Sequence, residues 1–226
     1  MGNLLVFSFE RISSAVSSPY HIVMVGLDNS GKTSILYKAK LRETIKTYPT
    51  TAFNVECVSV TKKLKFKVWD VGGRESNRPL WRAYVRKTEG VVFVVDSVDQ
   101  SRMEEAQHEL FNLLHSDSAQ LKEVPLLVVA NKQDSIGALS PDMIAKEPKL
   151  NELSGSHMWH VEGTSCYVGD GFNEGLKTLA KMIAECKGEN PKQRSRDAEK
   201  TTKASRRNRR KGKRRNSTSS HEGILV

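Results

Sequence analysis

The chain has 226 residues, enough for one domain of ordinary size with tails. Its formal net charge of +10 is unevenly placed: residues 1–186 hold 22 Lys+Arg against 22 Asp+Glu, whereas residues 187–226 hold 14 against 4. The globular part is therefore excluded as a basic nucleic-acid-binding domain, and no apolar run approaches the ~20 residues a membrane-spanning helix needs. Three cysteines, Cys57, Cys166 and Cys186, have no metal-ligand spacing and an odd count. They read as reduced thiols of a cytosolic or nuclear protein.

Met1-Gly2-Asn3 begins like the N-myristoylation pattern M-G-x-x-x-[ST], which makes Gly2 a candidate lipidation site, although Val6 stands where Ser or Thr is expected. A secretory signal is not expected, because no basic n-region precedes an apolar core. Leu5, Phe9, Ile12 and Val16 recur at i, i+4, i+7 and i+11. This gives residues 1–19 an amphipathic stripe that lies at a membrane interface or packs on its own domain. Next comes a short, largely apolar run, Tyr20–Val25, which predicts a buried strand opening a domain over residues 20–186.

After that strand, Gly26 to Thr33 reads GLDNSGKT, the pattern G-x-x-x-x-G-K-[ST]. A helical pattern follows to about Leu41, so strand, glycine loop and helix stand in the order a phosphate-binding loop requires. Gly26 and Gly31 let the backbone wrap closely around phosphate oxygens, and the loop amides, with Asp28, Asn29, Ser30, Gly31 and Ser34 as candidates, point inward at them from the helix's positive end. Lys32 reaches β- and γ-phosphates as a point charge, and the Thr33 hydroxyl suits Mg²⁺. Two alternating segments, Phe53–Val60 and Leu64–Trp69, flank Thr61-Lys62-Lys63 and predict a hairpin. The second ends in Asp70-Val71-Gly72-Gly73: a carboxylate at a strand tip to organise Mg²⁺, then glycines that let the backbone approach a γ-phosphate.

Gly90–Asp96 is a continuous apolar run, as in a strand buried on both faces. Ser101-x-x-Glu104 has capping-box spacing and predicts a helix from Ser101 to about His115. Pro125–Ala130 is another buried strand, Pro141 opens a helix to about Leu150, and a strand at His157–Glu162 leads into Thr164-Ser165-Cys166. Phe172 to Cys186 is a closing helix. Alternating strands and helices with one hairpin predict a mostly parallel sheet covered on both faces, ligands binding at the carboxyl ends of the strands.

Asn131-Lys132-Gln133-Asp134, after the fifth strand, is N-K-x-D. An ionised, buried Asp134 accepts two hydrogen bonds from guanine's ring N–H and exocyclic amine, a donor pair adenine lacks. Asn131 bridges base and phosphate loop, and the Lys132 stem covers the purine face. The three motifs together point to a guanine nucleotide. A P-loop kinase would need a second substrate site and a lid, whereas this chain devotes NKQD to the base.

Over residues 20–186 the sequence resembles the ADP-ribosylation factor (Arf) family of small GTPases, through GLDNSGKT, Tyr48-Pro49-Thr50-Thr51-Ala52-Phe53-Asn54, WDVGG, Arg78-Pro79-Leu80-Trp81 and NKQD. FVVDSVDQSRMEEAQHEL and the basic tail are most similar to its type-4 Arf-like branch, although the hairpin is shorter than that branch suggests. The resemblance implies an α/β P-loop G domain with a six-stranded, mostly parallel sheet and one antiparallel hairpin strand. It further implies GTP/GDP and Mg²⁺ as ligands, with Thr33 and Thr50 on the metal and Asp70 reaching it through water. Gly73 would meet the γ-phosphate, Ser165 and Cys166 the base, and Phe53, Trp69 and Tyr84 an effector. Effectors, an exchange factor and a GTPase-activating partner are implied, with movement of hairpin and N-terminal helix exposing that helix to membrane.

One departure bears on turnover: Arg74 stands where the family pattern WDVGGQ has a Gln that orients water, alongside Lys32 and Thr50 in the catalytic set. A guanidinium donates only, so slow or partner-dependent GTP hydrolysis is expected, with a GTP-bound scaffold of negligible turnover as the alternative. The tail over residues 187–226 has the composition of a disordered segment, and RRNRRKGKRR at Arg206–Arg215 carries eight positive charges in ten residues. This run reads as a second anchor on an anionic cytoplasmic leaflet, or as a nuclear-import signal for importins, with only non-specific contact to nucleic acid expected.

Overall fold

The computed structural model describes residues 18–188, apart from 117–120, 122–123, 148–149, 151, 154–155 and 169–170. Gly2, the N-terminal stripe and the polybasic tail lie outside the described residues. Pro19–Gly188 forms one compact unit. Its strands are β1 (Tyr20–Val25), β2 (Phe53–Ser59), β3 (Lys65–Val71), β4 (Gly90–Asp96), β5 (Leu126–Asn131) and β6 (Trp159–Gly163). Its helices are α1 (Lys32–Leu41), α2 (Arg78–Val85), α3 (Met103–Leu114), α4 (Pro141–Ala145) and α5 (Gly171–Cys186).

The strands form one sheet in the order β2-β3-β1-β4-β5-β6. Only the β2–β3 pair is antiparallel, in register from Phe53↔Val71 to Ser59↔Lys65, and β1, β3, β4, β5 and β6 run parallel. This is the predicted mostly parallel sheet with one hairpin strand. The apolar run of β4 explains the two-sided core, because successive side chains alternate between faces. Val91, Phe93 and Val95 pack with Trp81, Val85, Leu110 and Leu113. Val92 and Val94 pack on the other face with Ile35, Leu36, Leu176, Leu179 and Ile183.

Two local expectations are corrected, and one helix was not foreseen. Ser101 does not cap α3: it sits in a 3₁₀ turn, Gln100–Arg102, and its hydroxyl donates to Asp99 Oδ1 at 2.7 Å. Asp99 draws both the Ser101 and Arg102 side chains into that turn, so the helix starts later, at Met103. The helix at Pro141 closes at Ala145 instead of reaching Leu150. Ser140 caps its start, accepting from Met143 N at 3.2 Å, and Pro148 in the sequence disfavours helical backbone at the residue before it. Finally, α2 over Arg78–Val85 was not predicted, though Pro79 in its first turn and Trp81/Val85 one turn apart are its signals.

Candidate functional site

The loop from Gly26 to Lys32 turns sharply because three of its residues adopt positive φ: Gly26 at 142°, Asn29 at 61° and Gly31 at 87°. A Cβ on Gly26 would sit 2.2 Å from the Val94 carbonyl oxygen, so only glycine fits there. The loop curls around its own lysine. Lys32 Nζ donates to the Gly26 and Leu27 carbonyls at 2.8 and 2.7 Å. Burial pushes the Lys32 ammonium down to about 8, while the Asp70 and Asp28 carboxylates pull the other way. Behind it, Ser30 is buried with its hydroxyl on the Leu27 carbonyl.

At the carboxyl end of β3, Asp70 is fully buried. Its Oδ2 accepts from Thr33 Oγ1 at 2.7 Å, from Asn54 Nδ2 at 3.3 Å and from Thr50 Oγ1 at 3.4 Å, and the two threonine hydroxyls lie 2.9 Å apart. Burial raises the Asp70 pKa against the pull of those hydroxyls and of Lys32. Among the described residues its Oδ1 is buried with no hydrogen-bond partner. An orphaned carboxylate oxygen beside two hydroxyls is an all-oxygen donor set, which fits Mg²⁺ and its waters better than a softer metal. Asn54 is a member of this cluster that sequence reasoning missed.

A cleft of about 390 Å³ opens in front of these groups, lined by Lys32, Thr33, Thr50, Gly73, Arg74 and Asp134 among others. Gly73 lies flat on the phosphate loop, so close that a Cβ would fall 2.3 Å from the Gly26 carbonyl oxygen. Gly72 is tied behind it, donating its N–H to the Ala52 carbonyl at 2.9 Å. Arg74 is exposed at the cleft wall. Ser34 meets Thr47 hydroxyl to hydroxyl at 2.7 Å, drawing the loop before β2 over α1.

At the other end, Asn131 is buried and bridges loops: its Nδ2 donates to the Ser30 carbonyl at 2.8 Å and its Oδ1 accepts from Thr164 at 3.0 Å. Lys132, in a left-handed conformation, reaches Asp96 at 2.5 Å. Asp134 is exposed on the cleft rim, not buried as expected, because it sits on the turn beyond β5. Ser165 and Cys166 divide. The Ser165 hydroxyl accepts from the Tyr167 and Val168 amides at 2.9 and 3.1 Å and organises its turn. Cys166 lines the cleft, its thiol pKa raised by burial, and its carbonyl accepts from Thr44 at 2.6 Å.

The Phe53, Trp69 and Tyr84 rings form one cluster, with centroids 5.3 to 6.0 Å apart. Phe53 is exposed, whereas Trp69 and Tyr84 are half-buried. Sequence reasoning also missed two arginines, Arg102 bracing the phosphate loop and Arg78 holding the segment that follows β3. Arg102 contacts Asp28 at 3.1 Å, and Arg78 contacts the Gly73 carbonyl at 3.1 Å, Glu105 at 2.7 Å and Glu109 at 3.3 Å.

Residues 8–183 match the ADP-ribosylation factor family. The chain is 47% identical over 188 residues to ADP-ribosylation factor-like protein 4A of Mus musculus, covering 81% of this chain and 93% of that protein. It is 45% identical over 193 residues to ADP-ribosylation factor-like protein 4D of Mus musculus, covering 83% and 95%. Among solved structures it is similar to the Arl6 BBS3 small GTPase from Trypanosoma brucei with bound nucleotide analogue GppNp. That likeness has a TM-score of 0.67 and 31% identity, over 74% of this chain and 99% of that one. Fold, motifs and relatives agree: the chain belongs to the ADP-ribosylation factor family of small GTPases, GTP-hydrolysing switches, and within it resembles the type-4 Arf-like proteins.

Proposed function

We propose that this protein is a guanine-nucleotide switch whose GTP state is long-lived, and that the cleft framed by the phosphate loop, Thr50, Gly73 and N-K-x-D holds the nucleotide. The observation that carries the nucleotide site is the convergence of Thr33, Thr50 and Asp70 within 3.4 Å of one another, beside buried Lys32. The long-lived GTP state rests on Arg74 standing at the family's Gln position. In this reading the loop amides and Lys32 hold the β- and γ-phosphates. Thr33 and Thr50 would ligate Mg²⁺, and Asp70 would reach it through water. The metal, when bound, neutralises charge on the phosphate oxygens. Gly73 contacts the γ-phosphate, so Thr50 and Gly73 sense whether it is present. Asn131, Lys132 and Asp134 take the base, with Cys166 beside it. Mg²⁺-dependent competition binding tests this: GDP and GTP should displace a labelled guanine nucleotide at least about a thousandfold better than ADP and ATP. Equal competition by adenine nucleotides would sink the reading.

The Phe53–Trp69–Tyr84 cluster, with Val55 and Leu80 also exposed, supports an effector-docking surface on β2, β3 and α2. Aromatic side chains are preferred anchors of such contacts. Exchange and GTPase-activating partners follow from the same cycle. Among the described residues no helix is long and apolar enough to cross a membrane. Action on the cytoplasmic face of a membrane then rests on Gly2, the N-terminal stripe and the tail. Each tail charge near an anionic leaflet contributes about 1 kcal/mol before screening, and a single myristoyl chain binds only marginally. Deleting residues 206–215 is expected to release the full-length protein from phosphatidylserine vesicles; unchanged sedimentation would remove the tail as an anchor.

A further inference from the structure

We propose that Trp81 and Arg78 of α2 are positioning residues that set the aim of the Gly73 amide, making this helix the reader of a terminal phosphate. This rests on the reading of Gly73 given under Proposed function. The difficulty the protein faces is conformational: two consecutive glycines, Gly72 and Gly73, leave the peptide between them freer to rotate than any other pair would. A rotated peptide would turn a carbonyl, not an N–H, toward the cleft.

Three contacts hold that segment. In a trans peptide the carbonyl and the next N–H point in opposite directions, so a group gripping the Gly72 carbonyl fixes the Gly73 N–H. The Trp81 indole does this, donating Nε1–H to Gly72 O at 2.9 Å from a ring that is 1% exposed and edge-on to Phe93. On the next peptide, Arg78 Nε donates to Gly73 O at 3.1 Å. Arg78 is itself clamped by Glu105 at 2.7 Å and Glu109 at 3.3 Å on α3, with only 8% of its side chain exposed. On the preceding side, the Gly72 N–H is held by the Ala52 carbonyl next to Thr50. Two successive carbonyls are thus pinned by one helix, which is anchored to the core through Trp81 and to α3 through Arg78. Simple packing would not require the donors to fall on neighbouring carbonyls of the glycine pair.

Because the Gly73 amide meets only a third phosphate, loss of its aim should weaken triphosphate binding and spare diphosphate binding. Full-length wild type, Trp81→Phe and Arg78→Lys are titrated with GDP and with the non-hydrolysable analogue GppNHp in Mg²⁺. Trp81→Phe removes the indole N–H while keeping an aromatic ring in the core. It is expected to lose about tenfold in GppNHp affinity, with GDP affinity within about twofold of wild type. Arg78→Lys keeps a positive charge between Glu105 and Glu109 but loses the fork, so a smaller loss of the same selectivity is expected. Parallel weakening of both nucleotides in each variant, or no change in either, overturns the proposal and leaves α2 a packing element. If Trp81→Phe fails to fold, Arg78→Lys decides alone. A wild-type protein that binds neither nucleotide overturns the nucleotide reading beneath the proposal, an outcome distinct from unselective variants.

Discussion

Gly73→Ala is expected to release a bound GTP analogue about 10 to 100 times faster than wild type, with GDP release changed by less than about threefold. The cause is steric and local. A Cβ at position 73 would lie 2.3 Å from Gly26 O, 2.4 Å from Leu27 C and 2.5 Å from Asp28 N. All three are backbone atoms of the phosphate loop, which cannot swing aside as a flexible side chain can. The loop is braced besides by Arg102 on Asp28 and by Asn131 on Ser30. Position 73 must therefore lift away, taking its amide from the place proposed for a γ-phosphate. GDP makes no demand on that amide. Stopped-flow release of fluorescent GDP and GppNHp measures both rates, and equal acceleration of the two would mean that the substitution damages the loop as a whole.

Arg74→Gln is expected to raise single-turnover GTP hydrolysis by about tenfold or more at saturating Mg²⁺. Hydrolysis needs a water in line with the γ-phosphate, and little else from the protein that the phosphate loop does not already provide. A guanidinium donates hydrogen bonds and accepts none, so it stabilises phosphate charge without holding a water's proton; a carboxamide does both. The structure puts Arg74 on the cleft wall, immediately after Gly73, with an exposed side chain. Equal rates for the two proteins would mean that the residue does not limit turnover and that a partner supplies the missing group.

The parallel sheet, its one hairpin and the run of motifs along its carboxyl edge were readable because each rests on local signals. Gly90–Asp96 and Pro125–Ala130 are too uniformly apolar to be anything but central strands, and the structure buries them on both faces. Helix α2 was not readable in the same way. It has eight residues, two of them buried, and its identity as a helix comes from Trp81 and Val85 reaching the core. The cap at Ser101 failed because a nearby carboxylate, Asp99, competed for the hydroxyl, and spacing alone does not register such competition. Arg78 illustrates the larger gap. The sequence shows it only as the first residue of the Arg78-Pro79-Leu80-Trp81 pattern, with no partner attached, whereas the fold brings Gly73, Glu105 and Glu109 to it from two other segments. Long-range hydrogen bonds of this kind are set by tertiary approach, so they appear only once the chain is folded. Asp134 shows the converse: its motif identified it, but not its place on an exposed rim.

The central claim is that the third phosphate changes this protein through Thr50 and Gly73. Amide hydrogen exchange on the full-length protein, loaded with GDP and then with GppNHp, measures this directly. Slower exchange over residues 47–54 and 72–78 in the GppNHp form, with β4 and β5 unchanged, is the result predicted. Identical protection in the two forms would contradict the switch, leaving a nucleotide-binding domain that does not sense which nucleotide it holds.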